Sequence, residues 1–123
     1  MLAFLDHIAI KVKDVEASAA WYVRVLKMKR FQPEEWKPFP VMVLAGESGL
    51  ALFPQKKGEN ISIQSLHIAF RIAPKYFDSL RMHLEQEGIE LYFEDHVWFQ
   101  SMYFSDPDGY RLEITTPTKP ISA

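Results

Sequence analysis

The sequence predicts an α+β fold made of two copies of a βαβββ unit. The first observation is that residues 7–10, HIAI, recur as residues 67–70, HIAF, at an offset of 60. The second is that residues 48–53 match residues 108–113 at the same offset. Two landmarks repeated in one order at one spacing indicate an internal duplication. We expect a single domain over residues 1–123, with modules at approximately residues 1–57 and 62–118.

The first module is predicted to begin with a strand and a helix. Residues 4–12 are rich in β-forming side chains and contain no Pro or Gly, which is typical of a strand. Asp14 suits the N-cap position of the helix. Residues then recur at helical spacing, namely Val15, Ser18, Ala19, Tyr22, Val25 and Leu26. Short strands are predicted at residues 29–31, 41–44 and 50–53.

The second module is predicted to follow the same plan. Residues 66–72 form its first strand, Pro74 opens the helix in the first turn, and Gly88 ends it as the C′ residue. The Asp-Pro-Asp-Gly sequence at residues 106–109 is a tight turn. Residues 56–60 are polar and form the predicted linker between modules. The remaining strands are predicted at residues 89–93, 98–104 and 110–115.

The composition excludes several classes of function. The formal net charge is −2 with no basic stripe, which argues against nucleic acid and an anionic membrane as partners. The chain has no cysteine, so a disulfide framework, a thiolate nucleophile and a cysteine-type zinc site are excluded. No apolar stretch approaches the roughly 20 residues that span a bilayer, and the N-terminus does not resemble a secretion signal. We therefore expect a cytoplasmic protein.

Strand alternation places three potential metal ligands on the strand faces that the helices do not cover. Successive side chains of a strand point to opposite faces, so His7, His67 and Glu113 oppose the apolar residues of their strands. Each His is followed two positions later by alanine, Ala9 or Ala69, which leaves space for a ligand. Two imidazoles and one carboxylate suit a divalent ion that keeps open positions for water or substrate. Strand histidines and glutamates are also common as structural or exposed residues, and alternation alone leaves both interpretations open.

A longer set of motifs resembles a known superfamily. The motifs are residues 5–14 (LDHIAIKVKD), Trp21-Tyr22 in the first helix, residues 66–70 (LHIAF) and residues 103–113 (YFSDPDGYRLE). They resemble the vicinal oxygen chelate superfamily of glyoxalases, bleomycin-resistance proteins and extradiol dioxygenases. The resemblance implies mixed sheets that curve into a cup around one divalent metal ion, Fe, Mn, Ni or Zn, with His7, His67 and Glu113 as its ligands. It also implies a small-molecule substrate and a homodimer in which two chains can share the site.

Other positions distinguish between members of the superfamily. Glyoxalase I enzymes use a fourth ligand, Glu or Gln, at the position that aligns with Phe53, and neighbouring Ala51 and Leu52 cannot replace it. Glyoxalase I activity is therefore not expected. Fosfomycin-resistance enzymes use two His and one Glu, so a transferase or hydrolase of that type is an alternative. Against it, Ala9 replaces a threonine that those transferases often carry, and residues 117–123 lack an arginine to bind a phosphonate.

Two further alternatives use the same fold. Extradiol dioxygenases bind Fe(II) with the same three ligands, and Tyr103 and His96 are then the catalytic candidates. Histidine is suited to proton transfer near neutral pH. A packed tyrosine explains Tyr103 equally well, and an exposed loop histidine is the better explanation of His96. A metal-free binding protein of the bleomycin-resistance type is the alternative from another class. Its groove would be lined by aromatic residues, namely Trp36, Phe39, Trp98 and Phe99.

The preferred hypothesis is a divalent-metal-dependent enzyme. It would act on a small oxygenated substrate through bidentate or oxyanion chelation at the metal ion. His7, His67 and Glu113 would be the ligands, with Tyr103 and His96 in polar or acid/base roles.

Overall fold

A computed structural model describes residues 1–59 and 66–120 of the chain. The chain divides into two compact units, Met1–Ile61 and Ser62–Ala123, called unit 1 and unit 2. Among its described residues, each unit has an α-helix and a four-stranded mixed sheet in the order βαβββ. The predicted α+β class and the two βαβββ copies are confirmed. Across the same ranges, neither α-helix combines the length and apolar character that a membrane span requires.

Unit 1 pairs its first strand with its last. Its elements are β1 (His7–Val12), α1 (Val15–Leu26), β2 (Lys29–Phe31), a 3-10 turn (Glu34–Trp36), β3 (Val41–Ala45) and β4 (Ser48–Pro54). The strand order is β1-β4-β3-β2, in which β1 and β4 are parallel and the other pairs are antiparallel. A parallel pair needs a long crossover, and α1 with the two intervening strands provides it.

Helix α1 forms where the cap and the helical spacing predict it. The Asp14 carboxylate accepts a hydrogen bond from the amide of Ala17 at 3.0 Å, which confirms Asp14 as the N-cap. One face of the helix is buried, namely Ser18, Ala19, Tyr22 and Val25. In β1, Ile10 and Val12 are buried whereas His7 is exposed, so the alternation predicted for this strand is confirmed.

Unit 2 repeats this topology. Its elements are β5 (His67–Arg71), α2 (Pro74–Gln86), β6 (Tyr92–Asp95), β7 (Phe99–Ser105) and β8 (Arg111–Pro117). The strand order is β5-β8-β7-β6, with β5 and β8 parallel and the other pairs antiparallel. Because β8 lies between β5 and β7, residues from all three strands meet around it.

Helix α2 and the apolar sheet face form the core of unit 2. Pro74 opens the helix and Gly88, with φ of +79°, follows its C-cap residue, as predicted. The helix buries Phe77 and Leu84. The apolar residues of the sheet are buried as well, namely Ile68, Met102, Phe104, Leu112 and Ile114.

Two predicted strands begin three residues later in the structure. β1 begins at His7 rather than at residue 4, because pairing with β4 starts at His7 opposite Gly49. β6 begins at Tyr92 rather than at residue 89, because the amide of Ile89 donates instead to the carbonyl of Leu84 and closes the helix end. Of the predicted linker, residues 56–59 are described and residue 60 lies outside the described residues.

The strand register corrects one part of the predicted repeat. Ala9 lies opposite Ala51 in unit 1, whereas Ala69 lies opposite Glu113 in unit 2. The counterpart of Glu113 is therefore Ala51, at an offset of 62, and not Phe53. The alignment was wrong because unit 2 has two more residues between its first and last strands, and local sequence similarity does not show where they are. Alanine cannot bind a metal ion either, so this position of unit 1 still supplies no ligand.

Candidate metal centre

His67 and Glu113 meet on one face of the sheet of unit 2. Their strands, β5 and β8, are adjacent and parallel, with Ala69 opposite Glu113. The small alanine leaves room for the Glu113 side chain to reach His67, and Nε2 of His67 lies 3.1 Å from Oε1 of Glu113. The Glu113 side chain is 11% exposed and that of His67 is 52% exposed. The face that carries these two residues is called the His67 face.

One hydroxyl group contacts the other oxygen of the Glu113 carboxylate, and a second hydroxyl group contacts the first. The hydroxyl of Ser101, on β7, donates to Oε2 of Glu113 at 2.8 Å. The same hydroxyl lies 2.8 Å from Oγ1 of Thr115, on β8. Ser101 and Thr115 are opposite each other in the antiparallel register, and Tyr103 is opposite Glu113. All four residues therefore lie on the His67 face.

Tyr103 links Glu113 to His96. The Tyr103 hydroxyl hydrogen bonds with the Glu113 carboxylate and lies 2.8 Å from Nε2 of His96. Nε2 of His96 is also 3.3 Å from Oε2 of Glu94. Because an ionised carboxylate only accepts hydrogen bonds, these contacts assign the proton of the His96 ring to Nε2. The single Nε2 proton of His96 is thus shared between Tyr103 and Glu94, and Tyr103 donates to Glu113.

The pKa of the Tyr103 hydroxyl is raised above its ordinary value of 10.0. Burial is the largest cause, and the charges of Glu113 and Glu94 act in the same direction. Tyr103 is therefore a neutral phenol at neutral pH, and it serves as a hydrogen-bond donor rather than as a base.

Arg111 is a member of this site that sequence reasoning missed. It lies opposite His67 in the parallel register, and its guanidinium is 4.6 Å from the centroid of the Tyr103 ring. A cavity of about 650 Å³ borders Arg111, Tyr103 and Ser105, together with Tyr92 and other residues of unit 2. Arg111 lies two residues before Glu113 in the sequence. This spacing could have identified it, because residues two apart in a strand share a face.

His7 lies in unit 1, and its neighbour there is Asp6. Nδ1 of His7 is 2.7 Å from Oδ2 of Asp6, and both side chains are exposed. Within residues 1–59 and 66–120, no three His, Cys, Asp or Glu side chains gather into a group that can hold a metal ion. The structure thus brings together two of the three predicted ligands, His67 and Glu113, and both predicted catalytic residues, Tyr103 and His96.

Other side chains that could take part in binding have partners within their own units. The Lys11 ammonium group pairs with the Glu59 carboxylate at 3.1 Å. The aromatic residues proposed to line a groove each contact another side chain. Trp36 packs edge-on against Phe31, Phe39 against Phe53, Trp98 lies under Lys119, and Phe99 lies under Arg71.

The His67–Glu113 pair fits the donor spacing of a metal site. Bonds from a divalent ion to His nitrogen or carboxylate oxygen are about 2.0–2.2 Å, so two ligands of one ion lie about 3.0–3.4 Å apart in octahedral or tetrahedral geometry. The observed separation of 3.1 Å falls in this range. A direct hydrogen bond has the same length, so an ion can replace it without a movement of either strand.

The comparisons with known proteins agree with this architecture. The family model described as Glyoxalase/Bleomycin resistance protein/Dioxygenase superfamily matches residues 4–114. The glutathione transferase FosA of Serratia marcescens is 26% identical over 117 residues, covering 93% of this chain and 81% of that protein. The metallothiol transferase FosB of Lysinibacillus sphaericus is 31% identical over 120 residues, covering 93% of this chain and 82% of that protein.

Solved structures share the fold. A glyoxalase family protein from Bacillus anthracis superposes with a TM-score of 0.81 at 21% identity, covering 96% of this chain and 98% of that chain. The fosfomycin resistance protein FosX from Mesorhizobium loti gives a TM-score of 0.70 at 24% identity, covering 96% of this chain and 95% of that chain. At these identities the likeness shows the fold alone.

Proposed function

Because the chain belongs to the glyoxalase/bleomycin resistance protein/dioxygenase superfamily, we propose that it is a divalent-metal-dependent enzyme acting on a small oxygenated substrate. The ligands would be His7, His67 and Glu113. The observation that carries the proposal is the contact of His67 with a mostly buried Glu113 at the spacing of two metal donors. A buried carboxylate needs charged or hydrogen-bonded partners to offset its desolvation. Ser101 and Tyr103 already hydrogen bond with Glu113, and a divalent ion would add a partner of opposite charge.

The residues around the pair have separate tasks in this proposal. When bound, the ion would act as a Lewis acid toward a substrate oxygen. His67 and Glu113 hold the ion. Tyr103, kept neutral by burial and by nearby carboxylates, donates a hydrogen bond to the Glu113 carboxylate. His96 orients the Tyr103 hydroxyl through the 2.8 Å contact.

His7 is proposed as the third ligand, contributed either by the same chain or by the second copy in a homodimer. Its equivalence to His67 in the two βαβββ units supports this assignment, because both are the first residue of a strand that pairs in parallel with the last strand of its unit. The homodimer, the cytoplasmic location and the small-molecule substrate are proposed together with it.

Metal analysis of the purified protein tests the proposal. The protein is stripped with a chelator, offered Mn, Fe(II), Ni or Zn separately, and analysed by elemental mass spectrometry. We expect close to one equivalent in the wild type and at least about ten-fold weaker binding by His67→Ala and Glu113→Ala. His83→Ala is the matched control, because it removes an imidazole from α2 rather than from the sheet.

Two results would contradict the proposal. If no metal reaches stoichiometric binding, a metal-free binding protein becomes the better interpretation. If His83→Ala lowers metal binding as much as His67→Ala, the ion does not bind at the His67 face.

Mixing two variants tests whether chains share the site. A heterodimer of His7→Ala and Glu113→Ala protomers contains one intact site only if His7 comes from the partner chain. Random exchange would then restore about one quarter of the sites. If the mixture binds no more metal than its separate components, His7 acts within its own chain or is not a ligand.

Transfer of a thiol to a small electrophile is the second candidate function. It is favoured by the names of the curated relatives, a glutathione transferase and metallothiol transferases. For an epoxide such as fosfomycin, the thiol sulfur forms a bond to carbon, the ring C–O bond breaks, and the thiol proton ends on the released oxygen. Phosphorus NMR of fosfomycin with glutathione and the metal-loaded protein would detect the adduct. An unchanged spectrum, with metal bound, would exclude this substrate pair.

A further inference from the structure

The two oxygens of the Glu113 carboxylate have different surroundings. Oε1 lies beside His67 at 3.1 Å, whereas Oε2 accepts a hydrogen bond from Ser101 at 2.8 Å. We propose that Ser101 is a positioning residue, supported by Thr115, that holds Oε2 and leaves Oε1 as the single oxygen of Glu113 that binds the metal ion. This inference rests on the proposed function, because it concerns the same metal site.

The direction of the hydrogen bonds follows from the chemistry of the three groups. A metal-binding carboxylate is ionised and only accepts hydrogen bonds, so the one proton of the Ser101 hydroxyl points to Glu113. The oxygen of Ser101 must then accept, and Thr115, at 2.8 Å, is the donor. The result is a chain from Thr115 to Ser101 to Glu113. Each bond in this chain strengthens the next by polarisation.

Burial makes this arrangement rigid. Ser101 is 1% exposed, and a hydroxyl removed from water without a partner costs about 1–3 kcal/mol. The hydroxyl therefore has no low-energy alternative to its contacts with Glu113 and Thr115. The last torsion of a glutamate side chain is broad and nearly two-fold symmetric. Without Ser101 the carboxylate keeps its contacts with Tyr103 and His67 but is freer to rotate and present both oxygens.

Unit 1 shows that the fold itself does not need these polar groups. In the strand register, Ala51 and Phe53 of unit 1 are the equivalents of Glu113 and Thr115. Each of these pairs lies opposite the third and fifth residues of the first strand of its unit. The supporting hydroxyl is thus present in the unit that carries the carboxylate and is replaced by an aromatic ring in the unit that lacks one. This distribution favours a role in the site over a role in the βαβββ architecture.

Removal of the hydroxyl tests the inference. In Ser101→Ala we expect metal affinity, measured by competition with a fluorescent chelator, to fall about 10–100-fold, which is the usual effect of losing a group that orients a ligand. Thr115→Val should weaken binding by a smaller factor, because Ser101 still donates to Glu113. Ser18→Ala is the matched control: Ser18 is equally buried, on α1, and its hydroxyl has no hydrogen-bond partner among the described residues.

A spectroscopic measurement separates positioning from a merely structural role. The visible absorption of Co(II) bound in place of the native metal reports the number and arrangement of its ligands. We expect a changed band shape in Ser101→Ala and Thr115→Val and an unchanged one in Ser18→Ala. If Ser101→Ala does not fold, Thr115→Val alone decides by the same two measurements.

The outcomes distinguish this inference from the function on which it rests. A wild type that binds no metal would overturn the proposed function and the inference together. A wild type that binds metal, with folded Ser101→Ala matching it in affinity and Co(II) spectrum, would overturn the inference alone. If Ser101→Ala fails to fold, a Thr115→Val protein that matches the wild type in both measurements has the same consequence.

Discussion

The turn before β8 depends on a single oxygen of Asp106. Oδ1 of this buried side chain accepts hydrogen bonds from the amides of Asp108 at 2.9 Å and of Tyr110 at 2.8 Å. These bonds shape the Asp-Pro-Asp-Gly turn, which sets the start of β8 and hence the position of Glu113. Asp106→Ala would leave both amides without this acceptor.

The size of the effect follows from the number and kind of bonds lost. A hydrogen bond to a charged group contributes about 1.5–3 kcal/mol, and we take the lower value because the Asp108 amide is only partly buried. Two such bonds correspond to about 3 kcal/mol, or a fall in Tm of about 12 °C for a chain of this length. Asp106→Asn keeps an amide oxygen at the same position, so we expect less than half of this loss.

Urea denaturation followed by tryptophan fluorescence, together with calorimetry, would measure both variants. Asp78→Ala is the control, because the Asp78 side chain is 85% exposed on α2 and should change stability by less than about 0.5 kcal/mol. The reasoning is refuted if Asp106→Ala is as stable as the wild type. It is also refuted if Asp106→Asn is as unstable as Asp106→Ala, because the acceptor oxygen would then not be the important group.

Three further substitutions test other features of the fold by the same denaturation assay. The hydrogen bond from Arg30 lowers the pKa of Glu16, so the pair stabilises the protein above the ordinary pKa of 4.5 and the contribution is lost as pH falls through the lower folded-state value. Since both side chains are well exposed, Glu16→Gln should cost at most about 1 kcal/mol at pH 7. A stability difference between the wild type and Glu16→Gln that grows as the pH is lowered would contradict this sign. Val97→Gly should raise stability by about 0.5–1 kcal/mol, because an exposed β-branched residue at φ of +70° is strained; a loss of stability would show that the strain is absent. Gly49→Ala should cost about 1–3 kcal/mol, because a Cβ there overlaps the Val43 carbonyl oxygen, and an unchanged midpoint would refute that close approach.

Local features of the sequence predicted the helices and most of the strands. Asp14 caps α1, and Pro74 and Gly88 bound α2, because these residue types stabilise helix ends whatever the rest of the chain does. The predicted strand boundaries are wrong where contacts with other parts of the fold, rather than local propensity, decide where a strand begins. β6 begins at Tyr92 rather than earlier, since the preceding amide of Ile89 is used to close the helix.

The sequence by itself determined that His67 and Glu113 lie on the uncovered faces of their strands, because side chains alternate and the apolar residues must be buried. It did not determine that the two side chains meet. That contact joins residues 46 positions apart and requires the strand order β5-β8-β7-β6.

The tertiary structure also decided which residues surround the carboxylate. Ser101, Tyr103 and Arg111 reach Glu113 or its neighbours only because β7 pairs with β8 in one register, and a register depends on loop lengths and long-range pairing rather than on local propensity. For the same reason, the counterpart of Glu113 in unit 1 is Ala51 and not Phe53. Local physics thus set the residue types on each face, and long-range pairing set which of them touch.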